Sequence, residues 1–322
     1  MRQLGLRPLL RAAAVTMVLG LAGPAMAIDE LLLIAPAAPG GGWDQTARAL
    51  QETMQSEGVV KTVTVENVPG AGGTVGLAQF VDKHKGNGNA LLVNGLVMVG
   101  AILTNNSPVN LDQVTPIARL TGEYEVLVVP AASEIKTLAE LVDKFKADPG
   151  SVSWGGGSAG GTDHILAGLI AQTVGIEGSK VNYVPFSGGG EALAAIMGGH
   201  VTVGISGLGE WQGQIASGEL RALAISSPER LEGLDIPTLK EQGVEVELAN
   251  WRAVVGAPGL DDAQKKALID SLDATVKSEG WKKVLADRKW MDLYLAGDEF
   301  AALLKEENDR VTGTLKQIGL VK

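Results

Sequence analysis

Short apolar runs recur along the chain, each followed by a glycine-rich stretch and then by a segment with apolar residues at helical spacing. Runs bounded by turn residues read as strands, and three- or four-residue spacing reads as helix. The predicted strands are 31–35, 63–67, 90–94, 126–129, 152–154, 181–184, 201–205 and 220–226. Helices are predicted after Asp44, after Thr162, after Glu191 and through the C-terminal segment, where Leu268, Leu272 and Val276 repeat and Asp261 or Asp262 supplies an N-cap. Strands alternating with helices give an α/β fold with mostly parallel sheets. Two apolar passages, 124–130 and 251–258, read as crossings between lobes. They predict a discontinuous first lobe, 28–124 with 252–322, and a second lobe, 125–251. No low-complexity linker supports two sequential domains instead.

The first 27 residues stand outside that pattern. Arg2, Arg7 and Arg11 precede an apolar run over 12–22, and Ala25-Met26-Ala27 forms a small-x-small cleavage pattern, the layout of a secretory signal peptide. The run is shorter than the roughly 20 apolar residues that span a bilayer, so a membrane anchor is the weaker reading. No cysteine follows the cleavage pattern, so a lipoprotein is not expected. An exported protein of the periplasm is expected.

Charge and residue usage then exclude classes of function. Among 322 residues, 37 acids face 27 bases for a net charge of -10, and no stretch concentrates Lys and Arg, so nucleic acid is not an expected partner. Without cysteine there are no disulfides and no thiolate metal sites. The three histidines, His84, His164 and His200, show no paired spacing, so neither a metal nor a cofactor is expected.

Four predicted strand-to-helix junctions share one design. They are Pro36-Ala37-Ala38-Pro39-Gly40-Gly41-Gly42-Trp43-Asp44, Asn67-Val68-Pro69-Gly70-Ala71-Gly72-Gly73-Thr74, Gly155 through Gly161-Thr162-Asp163-His164, and Phe186-Ser187-Gly188-Gly189-Gly190-Glu191. Glycine lets a ligand approach the backbone, and the helix that follows presents unpaired N–H groups carrying about half a positive charge. Each junction is a potential anion seat. One such loop is often only a tight turn, but several at the carboxyl ends of strands point to one composite site. Three or four helix N-termini supply roughly +1.5 to +2 charge equivalents. Surface charge is screened beyond about 8 Å, so the local attraction outweighs the acidic exterior for a small anion.

Competing readings of these residues are weaker. Gly70-x-Gly72-x-x-x-Gly76 has the wrong final spacing for a dinucleotide fingerprint, and no phosphate-binding G-x-x-x-x-G-K-[ST] loop occurs. Ser158, Asp163 and His164 are hydrolase residue types, yet no G-x-S-x-G elbow surrounds Ser158. A secreted hydrolase using Ser158 and His164 is the alternative function. Against it, Thr162 or Asp163 reads as a helix cap, and His164 as a structural hydrogen-bonding residue in the first turn. Trp43 reads equally as core or cleft, and Arg252 reads as an interdomain ion pair ahead of a ligand clamp.

With these loops in view, the chain resembles the extracytoplasmic solute receptors of tripartite tricarboxylate transporters, the Bug receptor family. The resemblance rests on the Pro-x-x-Pro-Gly-Gly loop ending in Asp44, on Asn67-x-Pro69-Gly70-Ala71-Gly72-Gly73, and on the loop from Gly157 to His164. It continues through Val184-Pro185-Phe186-Ser187-Gly188-Gly189-Gly190-Glu191-Ala192-Leu193 with Gly198-Gly199-His200-Val201, then Pro237-Thr238-Leu239, Gln242-Gly243 and Trp251. It implies a two-lobed Venus-flytrap receptor, not an enzyme, that is monomeric and delivers a small carboxylate to a membrane permease of one large and one small subunit. The ligand residues it implies are Ala38, Gly41, Gly42, Trp43 and Asp44 of the first loop, Asn67 and Gly72 of the second, Ser158, Gly161, Thr162 and His164 of the third, Ser187, Gly188 and Gly189 of the fourth, and Ser206. Ala37 stands where many members carry an aromatic, and Ser187 where many carry a basic residue. The phrases around Trp43 and Ser187 look most like the branch associated with tricarboxylates such as citrate.

Overall fold

The computed structural model describes residues 28–322; the signal peptide expected over 1–27 lies outside them. Three β-loop-α units open the chain: β1 (Glu30–Ala35) and α1 (Gly42–Ser56), β2 (Thr62–Asn67) and α2 (Thr74–Lys83), β3 (Ala90–Gly95) and α3 (Leu96–Thr104). A long strand, β4 (Thr115–Pro130), leads to α4 (Leu138–Ala147), β5 (Ser153–Gly156), α5 (Thr162–Thr173), β6 (Asn182–Pro185) and α6 (Gly189–Met197). Then come β7 (Val203–Gly207), α7 (Leu208–Ala216), β8 (Leu220–Ile225), β9 (Ala249–Gly256), α8 (Asp262–Lys277), α9 (Glu279–Arg288), β10 (Met291–Ala296) and α10 (Gly297–Gln317).

The class is α/β as expected, but the sheet is mixed. Its order is β2-β1-β3-β9-β4-β7-β5-β6, with β10 and β8 also on β4. Parallel pairing is confined to β2-β1-β3 at one end and β6-β5-β7 at the other. Every pairing of β4 and β9 is antiparallel. The cause is β4 itself: residues Thr115 to Tyr124 pair with β9, and Glu125 to Val128 pair with β7. One strand thus serves both ends of the sheet. At the switch, the Ser226 hydroxyl accepts from Glu125 N–H at 2.9 Å and donates to the Leu248 carbonyl at 2.6 Å, tying β4 to the chain about to enter β9.

All eight predicted strands are present, with boundaries shifted by a residue or two apart from the fragment 126–129, which is the end of β4. The first part of β4, and β9 and β10, were not foreseen as strands. In β4 the apolar pattern is broken by Arg119, Gly122, Glu123 and Glu125, which sequence periodicity reads as surface. Here both glutamates are buried, and Arg119 donates to the Leu293 carbonyl.

Apart from α10, which begins after Ala296 without a side-chain cap, helix starts divide into two kinds. Away from the glycine loops, Thr137 with Glu140 caps α4, Asp261 with Gln264 caps α8, and Ser278 caps α9. Asp261 is therefore the cap, and Leu268, Leu272 and Val276 face the core as their spacing requires. By contrast α1, α2, α3, α5, α6 and α7 begin after Gly41, Gly73, Gly95, Gly161, Gly188 and Gly207, with no side-chain cap. Glycine at an N-cap gives up only a few tenths of a kcal/mol against serine or aspartate, and it leaves the first N–H groups uncovered.

Candidate functional site

The glycine loops converge on one cleft of about 340 Å³. Its walls are Pro36, Ala37 and Gly41 to Trp43 after β1, Gly70 to Gly73 after β2, Val97 of α3 and Asn105 just past its end, Gly157 to Ala159 and Asp163 after β5, and Pro185 at the end of β6 with Phe186 to Gly189 after it. Ser206, Glu210, Asn250 and Arg252 also line it. The walls meet at several points. A Cβ on Gly41 would lie 3.6 Å from the Gly188 Cα, and one on Gly72 would lie 3.3 Å from the Ser158 Cβ. The Thr104 hydroxyl donates to the Ala159 carbonyl at 3.3 Å. Gly73, at φ +87° and with the Trp43 ring against it, is a position where only glycine fits.

Of the residues expected to touch ligand, Gly41, Gly42, Trp43, Gly72, Ser158, Ser187, Gly188, Gly189 and Ser206 line the cleft. Ala38, Asp44, Asn67, Gly161, Thr162 and His164 stand behind it, and several of them hold the loops in place. Asp44 accepts from the Gly40 N–H at 2.9 Å and from Arg48, and Asn67 Nδ2 donates to Asp44 Oδ1 at 2.9 Å and to the Ala37 carbonyl at 3.1 Å. Burial opposes ionisation of Asp44, but Arg48, the Gly40 N–H and Asn67 outweigh it and hold its carboxyl below the ordinary value. The Ala38 carbonyl accepts from Gly41 N–H, and the Ser158 carbonyl from Gly161 N–H, closing the two turns.

The expected cap at α5 is absent: the Thr162 hydroxyl is buried without a partner, and Asp163 instead accepts from Gly157 N–H at 2.5 Å, bracing the loop. His164 Nδ1 accepts from Gly160 N–H at 3.1 Å, and its ring stacks on Tyr183 with centroids 4.1 Å apart. Burial lowers its pKa to about 4, so the imidazole is neutral at neutral pH. Among the described residues no hydrogen bond joins Ser158 to His164, so the side chains named for a hydrolase do not form a nucleophile–base pair. His200 is exposed just past the end of α6, and His84 ends α2.

Acidic side chains on the cleft floor were not anticipated. Arg252 is buried and bonds Glu123, with Glu210 Oε1 at 3.4 Å from its Nη2. The Trp290 indole donates to Glu123 Oε2 at 3.2 Å. Burial, and then Arg288, lower the Arg252 pKa to about 9, which leaves it charged at neutral pH. This matches the ion-pair reading of Arg252, although the residue also lines the cleft. Asp163 is raised to about 6, chiefly by burial. Burial and then the charge of Asp163 raise Glu210 to about 8, against the Ser206 hydroxyl and the Gly42 and Gly189 N–H groups that face it. Glu125, wholly buried behind Asp163, is raised well above the usual carboxylate range by burial first and its acidic neighbours next. The sequence signal for Glu210 was a further glycine junction, Gly207-Leu208-Gly209-Glu210, at the start of α7.

A curled α/β sheet whose helix N-termini open on one interlobe cleft defines the two-lobed solute-binding receptor fold. The structure superposes on that of the periplasmic binding protein BugD with a TM-score of 0.82 at 23% identity, covering 91% of this chain and 98% of BugD. It likewise superposes on MatC from Rhodopseudomonas palustris, solved with bound malate, with a TM-score of 0.76 at 22% identity over 89% of this chain and 98% of MatC. In sequence the chain is 28% identical over 310 residues to protein BugT of Bordetella pertussis, which spans 93% of this chain and 94% of BugT. Residues 46–320 match the tripartite tricarboxylate transporter family receptor, and the chain belongs to that family. Its fold and family are those of solute-binding receptors.

Proposed function

We propose that this chain is a periplasmic receptor, exported by a leader over 1–27. It holds a small di- or tricarboxylate, citrate being the first candidate, between a lobe of 28–124 with 252–322 and a lobe of 125–251. It works as a monomer and delivers the ligand to a membrane permease of one large and one small subunit. The observation that carries this reading is the set of glycine N-caps: six helices begin beside the cleft after a glycine that supplies no side-chain cap, although at Gly42 and Gly189 the Glu210 carboxyl faces the first N–H groups. The capped helices α4, α8 and α9 show that caps are used elsewhere in the chain. The one arginine on the floor already pairs with Glu123, so attraction for an anion comes from main-chain amides. The malate held by MatC, on the same fold, has the expected chemistry. Gly41, Gly42, Gly72, Ser158, Ser187, Gly188, Gly189 and Ser206 with Trp43 form the ligand surface; Asp44, Asn67, Ala38, Gly161, Thr162 and His164 support it.

A thermal-shift panel tests this. A carboxylate at 100 times its dissociation constant adds about 2.7 kcal/mol of stability and raises the melting temperature. Neutral sugars and cationic amino acids leave it unchanged. A shift from a sugar with none from any carboxylate overturns the reading.

A further inference from the structure

Glu125 lies behind the cleft wall, wholly buried, at the residue where β4 passes from pairing with β9 to pairing with β7. Its main chain is fixed on Ser226: the Glu125 N–H donates to the Ser226 hydroxyl, and its carbonyl accepts from the Ser226 N–H, each at 2.9 Å. The carboxyl is therefore held in place. Neither of its oxygens accepts a hydrogen bond from any described residue. The side chains that face it are the Asp163 carboxyl of α5 and Asn250 of β9, whose Oδ1 also lacks a donor. The titratable groups around it are Asp163, Glu210 of α7 and Tyr183 of β6. None of these is a cation. Tyr183 commits its hydroxyl proton to the Gly157 carbonyl at 2.7 Å, and Arg252 of β9 pairs with Glu123.

Two buried carboxyls that face each other hold a proton between them, because both cannot ionise at contact and a buried acceptor without a donor is costly. The main-chain donors decide which of the two carries it. Asp163 is met by the Gly157 N–H at 2.5 Å and by its own N–H, and both favour its ionised form; Glu125 has no such donor at its carboxyl. Burial, then the charges of Asp163 and Glu210, push Glu125 well above the ordinary carboxylate range, in line with that placement. Resting on the receptor reading above, we infer that Glu125 is a positioning residue of the ligand site: as a neutral acid it donates to Asp163, and through Asp163 and the Gly157 N–H it ties the third glycine loop to the strand that serves both ends of the sheet. Gly157 and Ser158 of that loop line the cleft, so ligand affinity follows the proton on Glu125. Affinity is full while the carboxyl is neutral. It falls when the carboxyl ionises, because facing carboxylates repel and the loop loses its tie.

The test combines infrared spectra with calorimetric titration of the mature chain, Glu125→Gln and Glu125→Leu, using malate, whose carboxyls are ionised from about pH 7 upward. At pH 7 the spectrum of the unsubstituted chain minus that of Glu125→Gln shows the carbonyl stretch of a protonated carboxyl. Glu125→Leu, which fills the space without a donor, weakens malate about tenfold, and Glu125→Gln, a neutral donor of the same shape, restores most of that loss. From pH 7 to 10 the affinity of the unsubstituted chain follows the band, level while it is present and falling as it disappears, and Glu125→Gln shows no fall at that pH. Glu210→Gln, titrated alongside, keeps both the band and the fall, which separates them from ionisation of Glu210. If the leucine variant does not fold, the spectrum and pH profile of Glu125→Gln decide. No band lost in Glu125→Gln, or a band lost with pH while affinity holds, overturns the role of Glu125 and leaves the carboxylate receptor standing. No binding of any carboxylate by the unsubstituted chain overturns the receptor reading itself.

Discussion

Asn67 and Asp44 join the first two glycine loops: the Asn67 amide donates to Asp44 Oδ1 at 2.9 Å, and the same amide holds the Ala37 carbonyl at 3.1 Å. Neither side chain lines the cleft, yet both fix the backbone that does. Asp44 sits in the first turn of α1 without capping it, and its second oxygen ties back to Gly40. Asp44→Ala leaves the Asn67 amide without one partner and frees the loop. It should cost about 1 kcal/mol of stability and weaken carboxylate binding about fivefold, read by thermal melts and calorimetry. Unchanged binding would mean that the first loop needs no tie.

Stability should depend on pH through the floor acids. Asp163 and Glu210 titrate higher in the folded chain, at about 6 and about 8, than in the unfolded chain. The folded state therefore binds more protons between each group's unfolded and folded values, from 3.8 to about 6 for Asp163 and from 4.5 to about 8 for Glu210, and stability falls as pH rises through those windows. Between pH 6.5 and 8 Glu210 contributes a loss of up to about 2 kcal/mol, and Glu125 acts in the same direction. Glu210→Gln should flatten the slope over this range. Equal slopes in denaturant melts of both chains would refute the assignment.

Hydrolysis by Ser158 and His164 is a separate matter. The His164 Nδ1 is occupied by Gly160 N–H, and its ring is stacked on Tyr183. Incubation with ester substrates should give no product above the uncatalysed rate, and Ser158→Ala should leave that rate unchanged. Product formation that Ser158→Ala abolishes would favour an enzyme.

Gly189→Ala places a methyl against Glu210 Oε2 and within 2.7 Å of Ser206 Oγ. The floor has to shift to admit it, at a cost of about 1 to 3 kcal/mol. Carboxylate affinity should fall with stability, whereas Gly213→Ala, inside α7 with open space around it, should leave affinity unchanged and raise stability by up to about 1 kcal/mol. Melting temperatures and titrations of the two variants separate these outcomes.

Which parts were legible in the sequence follows from what periodicity can see. The strand–glycine–helix junctions announce themselves because a strand end, a turn and a helix start each leave a local mark. Strand β9 and the first part of β4 are legible only once Glu123 and Arg252 are known to meet across the sheet, because each charge taken singly predicts surface. The cleft floor is hidden for the same reason. Asp163 and Thr162 have the residue types of caps, and nothing local says that one braces a loop and the other bonds nothing. Glu210 is a surface-type residue in the first turn of a short helix, and only the approach of Gly42 and Gly189 from distant loops buries it.

On the receptor reading proposed above, main-chain amides of opposed loops grip the ligand. A crystal structure with malate tests it most directly. Carboxylate oxygens are expected about 2.7 to 3.2 Å from backbone N–H groups at the starts of α1 and of α5 or α6, with Trp43 packed beside the ligand. Malate held by lysine or arginine side chains alone, or bound outside the cleft, would contradict it.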